Sequence, residues 1–302
     1  MAKKIDIESE PGNIQLTGKM ITSVDPIQLG KGDFRNLTNM RYTDKGIKSI
    51  QGMTKINTSA VSNPTIPAMY QFRKEFPAEN HLLAQGFSGS TAAIFDNTTA
   101  IPNQGNFSQI YAESAGAGVG EFYDAPDGCV VFGDGEQLLI WGGQESRVSG
   151  FFVANTNDVS SVVSTALDYT TAISDDDTTT FATINSRFVH IASTRQLKGV
   201  KFYVGTPNAN SVTPLVYYWG GTTWTACSSV VDGTSVGGVT LAQTGEISFT
   251  STVGLANLRY FQNILLYWYL FDFNGVSGTT TVYMSTLDTP WQPIQINGME
   301  CL

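Results

Sequence analysis

The feature that most constrains the fold of this chain is the near absence of helical periodicity. No window of about 12 residues keeps a 3.6-residue apolar period without an interrupting Gly or Pro. Short alternating or continuous apolar stretches recur instead, and Gly, Asn and Asp separate them. Because side chains of a strand alternate between the two faces of a sheet, this pattern predicts an all-β chain of many short strands.

The composition favours the same class. Charged residues make up 14% of the 302 residues, and Thr, Ser, Asn and Gly fill the deficit. Thr suits a pleated surface, and Gly and Asn suit tight turns. The net charge is −9, and acids dilute the basic stretches at Lys3-Lys4 and Arg41–Lys55. We therefore expect no DNA clamp, and DNA would meet this protein only inside a channel enclosed by several copies.

The first half of the chain predicts meander sheets. Residues 1–60 are interpreted as an N-terminal arm with the first turns and strands, among them Ile14–Met20. Residues 61–154 hold short strands about ten residues apart, which predicts a partial β-propeller-like region. Gly142–Asn157, rich in Gly and Asn, indicates a boundary. The expected strands of the partial propeller are Met69–Phe72, His81–Gln85, Ala92–Asp96, Glu121–Tyr123, Gly128–Phe132 and Gln137–Trp141.

Residues 155–290 predict a β-sandwich of jelly-roll type. The run Ile264–Phe273 is about half the length of a membrane helix, so it is interpreted as a strand buried on both faces. Trp219–Trp224, with Gly220-Gly221 inside it, predicts a tight hairpin. Residues 291–302 are interpreted as an exit segment that can continue into further chain. The expected strands are Ser161–Ala166, Phe181–Ile184, Phe188–Ile191, Gly199–Val204, Val212–Trp219, Glu246–Thr250, Tyr260–Phe273 and Thr279–Ser285.

Residues suited to catalysis are sparse. The two histidines, His81 and His190, both lie in strand-like patterns, so structural roles are favoured over a place in a catalytic triad. The sequence contains no nucleophile elbow and no phosphate-binding loop. Its three cysteines form no CxxC pair and no Cys/His cluster, which disfavours a zinc site. We expect no enzyme and no organic cofactor, and a glycan-cleaving enzyme is the less favoured alternative.

Two groups of residues are candidates for ligand contact. Three successive carboxylates could bind Ca²⁺, although a polar turn whose Asp side chains accept backbone N–H groups is the preferred interpretation. Aromatic rings around the predicted hairpin could stack on sugars, but strand alternation directs some of them into the core. The candidate calcium ligands are Asp175, Asp176 and Asp177. The candidate glycan-contact aromatics are Tyr217, Tyr218, Trp219 and Trp224.

Several N-terminal segments resemble a known family. Val24–Asp33, Leu37–Arg41 and Gly46–Met53 resemble the opening of bacteriophage tail proteins of the nozzle, tail tubular or DNA-stabilisation type. Val130–Gly135, followed by Trp141-Gly142-Gly143, is similar to the blade segments of those propeller-like proteins. The resemblance implies a virion protein.

A second resemblance concerns the predicted sandwich. Ile173–Phe181, Phe202–Asn208 and Tyr217–Trp224 resemble the discoidin or galactose-binding-like jelly rolls that are inserted in many virion proteins. In that family the first loop, matched here by the Asp-rich turn, can hold Ca²⁺ or shape a binding rim.

These resemblances lead to two functional hypotheses. The first is a structural component of a phage tail or head–tail connector that assembles around the tail axis. It would form a homo-oligomeric ring, contact adaptor, tube or fibre proteins, and reside in the virion after assembly in the host cytoplasm. The alternative is a carbohydrate-binding module that contacts host-surface glycans.

Overall fold

The chain consists of β-strands without helices wherever its structure is described, which confirms the all-β prediction. This computed structural model describes residues 40–43, 46–49, 61–63, 65–97, 106–114, 116–126, 128–155, 166–184 and 188–294. The predicted strand Ile14–Met20 lies outside those residues. The chain divides into two compact units, Met1–Lys55 and Ile56–Leu302.

In the first unit, β1 (Met40–Thr43) and β2 (Gly46–Ser49) form an antiparallel hairpin. The strands of the second unit, over its described part, are β3 (Thr65–Lys74), β4 (Glu79–Ser88), β5 (Thr91–Asn97), β6 (Ser108–Ala112), β7 (Glu121–Ala125), β8 (Cys129–Gly133), β9 (Leu138–Trp141), β10 (Ser146–Arg147), β11 (Gly150–Ala154), β12 (Leu167–Asp168), β13 (Ala182–Thr183), β14 (Phe188–Ser193), β15 (Gly199–Thr206), β16 (Leu215–Trp219), β17 (Trp224–Ala226), β18 (Val231–Asp232), β19 (Gly245–Ser248), β20 (Leu258–Phe261), β21 (Ile264–Asp272), β22 (Thr281–Asp288) and β23 (Gln292–Pro293).

Two sheets of the second unit are four-stranded antiparallel meanders. In the first meander sheet, β3, β4, β5 and β6 pair in chain order. In the second, β7, β8 and β9 pair in chain order, and the fourth strand is β23. Tight turns join such neighbours, and Gly89 (φ 62°) and Gly135 (φ 86°) supply the left-handed backbone there. The sequence predicted three strands of each sheet and missed β6 and β23.

One apolar core lies between the two meander sheets. Phe72 of β3 and Trp141 of β9 contact each other across the sheets, with ring centroids 5.7 Å apart. Trp141 also stacks on Trp291, which precedes β23, at 5.5 Å. The returning chain therefore completes the core as well as the sheet. The buried members are Phe72, Leu83, Ile94, Phe122, Val130, Phe132, Leu139, Trp141 and Trp291.

The chain between β9 and β23 forms a β-sandwich, as predicted for this region. One sheet has the order β10-β22-β15-β19-β18, and β13 also pairs with β22. The other has the order β12-β11-β14-β21-β16-β17, and β20 also pairs with β21. The sandwich is thus an insertion between the third and fourth strands of the second meander sheet.

The sandwich core confirms the prediction of a strand buried on both faces for Trp268–Phe271, whereas Ile264–Tyr267, the first half of this apolar run, is partly exposed. β21 lies between β14 and β16 in its sheet, and Trp268 through Phe271 are buried on both faces. Tyr269 and Phe271 face the core between the two sheets, where Phe271 meets Phe202 of β15 at 5.3 Å. Trp268 faces the opposite side and packs on Phe152 and Phe261. This second face of β21 is therefore covered by side chains from β11 and β20 of its own sheet.

Two details of the sandwich differ from the strand expectations. Gly150–Ala154, inside the Gly-rich stretch predicted as a boundary, forms the fully buried strand β11. The predicted strand Tyr260–Phe273 is divided by a turn, in which Gln262 and Asn263 adopt φ values of 48° and 64°. Asn tolerates this left-handed region better than most residues, and the apolar residues on both sides hide the turn in the sequence. Most of Ser161–Ala166 lies outside the described residues.

We predict that Trp291→Ala lowers the free energy of unfolding by about 3–5 kcal/mol, because it removes a buried indole from the core of the meander sheets. Urea denaturation followed by fluorescence measures the change. The matched control is Phe181→Ala, an exposed aromatic residue, which changes stability by no more than about 0.5 kcal/mol. Equal effects of the two substitutions would contradict the role of Trp291 in closing the second meander sheet.

Candidate functional site

The junction between the meander sheets and the sandwich concentrates the polar contacts that position the two parts. The chain leaves β9 through residues 142–145 and returns through residues 289–291. These connectors are hydrogen-bonded to each other. The Gly142 N–H donates to Thr289 Oγ1 (3.2 Å), and Thr289 Oγ1 donates to the Gly143 carbonyl (3.2 Å). The entry and exit of the sandwich are therefore tied together beside the second meander sheet.

Lys74 clamps the outgoing connector onto the first meander sheet. Its Nζ donates to the carbonyls of Gly142 (2.8 Å) and Glu145 (3.0 Å) and forms an ion pair with Glu79. Glu79 in turn accepts the Gln144 N–H (2.7 Å). The Lys74 and Glu79 side chains are only 6% and 7% exposed, so each depends on the other for charge compensation.

His81 extends this charged cluster into the apolar core. Its Nδ1 lies 2.8 Å from Asp96 Oδ2, and its Nε2 lies 3.3 Å from Glu79 Oε1. Burial alone would lower the pKa of His81, but the Asp96 and Glu79 carboxylates outweigh burial and raise that pKa to about 9. Burial acts to raise the pKa of Glu79, but His81 and Lys74 hold it below its ordinary value. The imidazolium also packs edge-on against Trp141, at 4.8 Å.

Side chains on the sandwich side of the junction also form hydrogen bonds across it. Glu145 accepts a hydrogen bond from Lys201 Nζ (2.5 Å) and another from the Tyr203 hydroxyl, both on β15. Gln292 of β23 makes a reciprocal pair with the backbone of Gln196: its Oε1 accepts the Gln196 N–H, and its Nε2 donates to the Gln196 carbonyl, both at 3.2 Å. The sandwich is thus hydrogen-bonded to the outgoing connector and to β23.

A second polar cluster connects β4 of the first meander sheet to the segment between β6 and β7, which leads into the second. The Gln85 amide donates to Glu113 (2.8 Å) and to the Gly118 carbonyl (2.9 Å), and it accepts the Gly120 N–H (2.8 Å). Burial and the adjacent Asp134 raise the pKa of Glu113 to about 7. Glu113 therefore changes charge near neutral pH.

The predicted glycan-contact aromatics occupy three different environments. Trp219 and Trp224 are register partners that close the β16–β17 hairpin, as predicted, with ring centroids 5.5 Å apart. Tyr218 packs against the sandwich core, whereas Tyr217 lines a separate apolar hollow beside Pro214. The four side chains therefore do not share one face of the sheet. Glycan contact by this set stays a prediction.

A cation covers the tryptophan pair. The guanidinium of Arg259, a residue only 5% exposed, lies 4.0 Å from the ring centroid of Trp219, 5.0 Å from that of Trp224 and 4.6 Å from that of Phe261. Such cation–π contacts hold the rings in place. The sequence analysis missed Arg259, although its alternation with Phe261 on β20 places both on the face opposite Tyr260.

The predicted calcium ligands form consecutive exposed turns. Asp175 Oδ1 accepts the Asp177 N–H (3.1 Å), and Asp177 Oδ1 accepts the N–H (2.8 Å) and hydroxyl (2.7 Å) of Thr179. These bonds hold the pKa of Asp177 below its ordinary value. Within the described ranges, no three His, Cys, Asp or Glu side chains are grouped closely enough to hold a metal ion. Calcium binding at Asp175, Asp176 and Asp177 stays a prediction.

The comparisons with known proteins give little. No family model matches the chain, and no curated protein matches it. Among solved structures it is similar to a glycoside hydrolase at 8% identity and a TM-score of 0.24, over 81% of this chain and 62% of that one. At that TM-score the likeness supports neither a shared fold nor a shared activity. No helix that is long and apolar enough to cross a membrane occurs in the described part of the chain.

We predict that alkaline pH destabilises the protein through His81. Because its pKa is raised above the unfolded value of 6.5, its contribution is fully present below pH 6.5 and is lost as pH rises through about 9. Urea denaturation across this range is expected to show a smaller fall in stability for His81→Gln than for the wild type, by roughly 2 kcal/mol. Parallel pH profiles of the two proteins would contradict this assignment.

We also predict a strong coupling between Lys74 and Glu79. Lys74→Met leaves Glu79 with His81 alone and is expected to lower stability by about 3–5 kcal/mol. Adding Glu79→Gln removes the buried charge and restores much of the loss, which a double-mutant cycle measures. The control is Lys198→Met, from a more exposed pair with Asp288, with an expected effect of about 1 kcal/mol or less. Additive effects of the Lys74 and Glu79 substitutions would contradict the clamp.

Proposed function

We propose that the chain is a structural component of a phage tail or head–tail connector that works by protein–protein assembly around the tail axis, without catalysis. The observation that carries this proposal is the arrangement of the second unit. Two four-stranded meander sheets share one core, and a β-sandwich is inserted before the last strand of the second. That order is the one expected from the N-terminal resemblance to propeller-like tail proteins and the sandwich resemblance to inserted jelly rolls. In this proposal the meander sheets are propeller blades.

The junction supports a mechanical role. Flexible linkers would let the sandwich reorient, whereas here Lys74 clamps the outgoing connector and Gln292 of β23 binds the backbone of Gln196 in the sandwich. Buried polar contacts with fixed geometry define one orientation of the sandwich on the sheets. A subunit that must place several neighbours around an axis needs such a defined shape.

An exposed apolar surface supports assembly. The β20–β21 hairpin extends the core-facing side of its sheet beyond the sandwich, so Leu258, Tyr260 and Leu265 lie on one face and remain about half exposed. Tyr260 and Leu265 are direct cross-strand partners. Clustered exposed apolar side chains are typical of protein contact surfaces. We assign this surface to neighbouring subunits of the particle.

The test is incorporation into virions. In phage particles produced from a genome that encodes the chain, mass spectrometry is expected to detect the wild-type protein. Leu265→Glu places a charge on the assembly surface and is expected to reduce incorporation at least about tenfold, while leaving the melting transition unchanged. Val231→Glu, which alters an exposed residue on the other sandwich sheet, is the matched control.

Absence of the wild-type chain from purified particles would overturn the proposed function. Normal incorporation of Leu265→Glu would overturn only the assignment of the hairpin surface. The carbohydrate-binding alternative predicts a different outcome: saturable binding to a glycan array, together with absence from particles.

A further inference from the structure

A cleft beside the junction carries an unusual charge distribution. It has a volume of about 350 Å³ and lies where turns of both meander sheets meet the start of the sandwich. Phe76, Pro77 and Val148 form its apolar walls, and Ser146, Ser149 and Thr194 supply hydroxyl groups. Its charged lining residues are Lys74, Arg147 and Arg195, and no carboxylate lines it in the part of the chain that the structure describes.

Among the described residues, two of these three positive charges have no carboxylate partner. Lys74 is compensated by Glu79. Neither Arg147 nor Arg195 has an Asp or Glu oxygen within 4.0 Å among the described residues. The whole chain carries a net charge of −9, so the charge of the cleft lining is opposite in sign to the net charge of the protein.

Arg195 is held firmly, although no carboxylate of the described residues pairs with it. Its guanidinium donates to Cys129 Sγ and, at 3.4 Å, to Ser146 Oγ. Its Nε is shielded from solvent and has no hydrogen-bond partner among the described residues. Gly142 makes room for this group, because a Cβ there would collide with the guanidinium. Partial desolvation of an uncompensated cation is unfavourable, and an anion in the cleft would relieve it.

Arg147 is the second arginine that lines the cleft. Its guanidinium lies over the ring of Phe76, 4.8 Å from the centroid, and the side chain is exposed. Stacking on the ring orients a planar group that can still donate to a ligand. The planar guanidinium group of arginine can donate two parallel N–H bonds to the oxygens of a phosphate, sulfate or carboxylate group.

We propose that this cleft binds a small ligand through an oxyanion that accepts hydrogen bonds from Arg147 and Arg195, with Phe76 and Val148 against its apolar part. The ligand class is a phosphate, sulfate or carboxylate group, whether free or attached to a sugar-sized molecule. The proposal does not depend on virion assembly, so its failure and the failure of the proposed function are distinguishable.

Calorimetric titration of the full chain with inorganic phosphate, sulfate and glucuronate tests the site. Ionic strength is held constant, because salt screens nonspecific attraction. At least one anion is expected to saturate with a dissociation constant of about 1 mM or below, and glucose is expected not to bind. Saturation by phosphate or sulfate alone identifies a tetrahedral oxyanion as the ligand, and saturation by glucuronate identifies a carboxylate.

The variants assign binding to the cleft. Arg147→Ala, at an exposed position, and Arg195→Gln are each expected to weaken binding about tenfold. Arg73→Ala, an exposed arginine on the other face of β3 from Lys74, is the control and is expected to bind like the wild type. If none of the three anions saturates, or if Arg147→Ala binds as tightly as the wild type, the proposal is overturned.

Discussion

The pairing of β23 with β9 is the constraint on which the rest of the second unit depends. It joins parts of one sheet that the sandwich separates, and the connectors beside it are hydrogen-bonded between residues 147 positions apart. Closing a long loop is entropically unfavourable unless the loop folds with its ends together. The sandwich meets this condition, because its first strand, β10, pairs directly with its last strand, β22. Folding of the insertion and completion of the sheet are therefore coupled.

Buried charge at the junction gives this arrangement its specificity. An apolar contact between connectors and sheets would tolerate sliding, whereas Lys74 must reach two particular carbonyls and the Glu79 carboxylate at once. Ion pairs of this kind contribute little net stability compared with apolar packing, but alternatives that leave one partner uncompensated are strongly disfavoured. The same logic distinguishes Lys74, which pairs with Glu79, from Arg195, which pairs with no carboxylate in the described part of the chain.

The sequence predicted the elements whose signal is local. Ile264–Phe273 is continuously apolar, and Trp219–Trp224 carries its turn in Gly220-Gly221, so the central strand and the hairpin were both predicted correctly. The Gly-rich neighbours of β11 concealed a buried strand. β23 is two residues long and contains Pro293, which an edge strand tolerates but which no strand pattern indicates. The junction was missed because Lys74 and Glu79 resemble ordinary surface charges until distant connectors cover them.

The shared exit point of the insertion also determines how a pulling force on the sandwich would pass into the meander sheets. β9 ends and β23 begins at the same end of their antiparallel pair, so tension on the sandwich along the strand direction pulls both strands the same way. The hydrogen bonds between β9 and β23 then carry little load. The strain falls in shear on the longer β8–β9 ladder, where four residue pairs share it. A sandwich attached only through β23 would instead load the β9–β23 pairing, where two residue pairs share the tension.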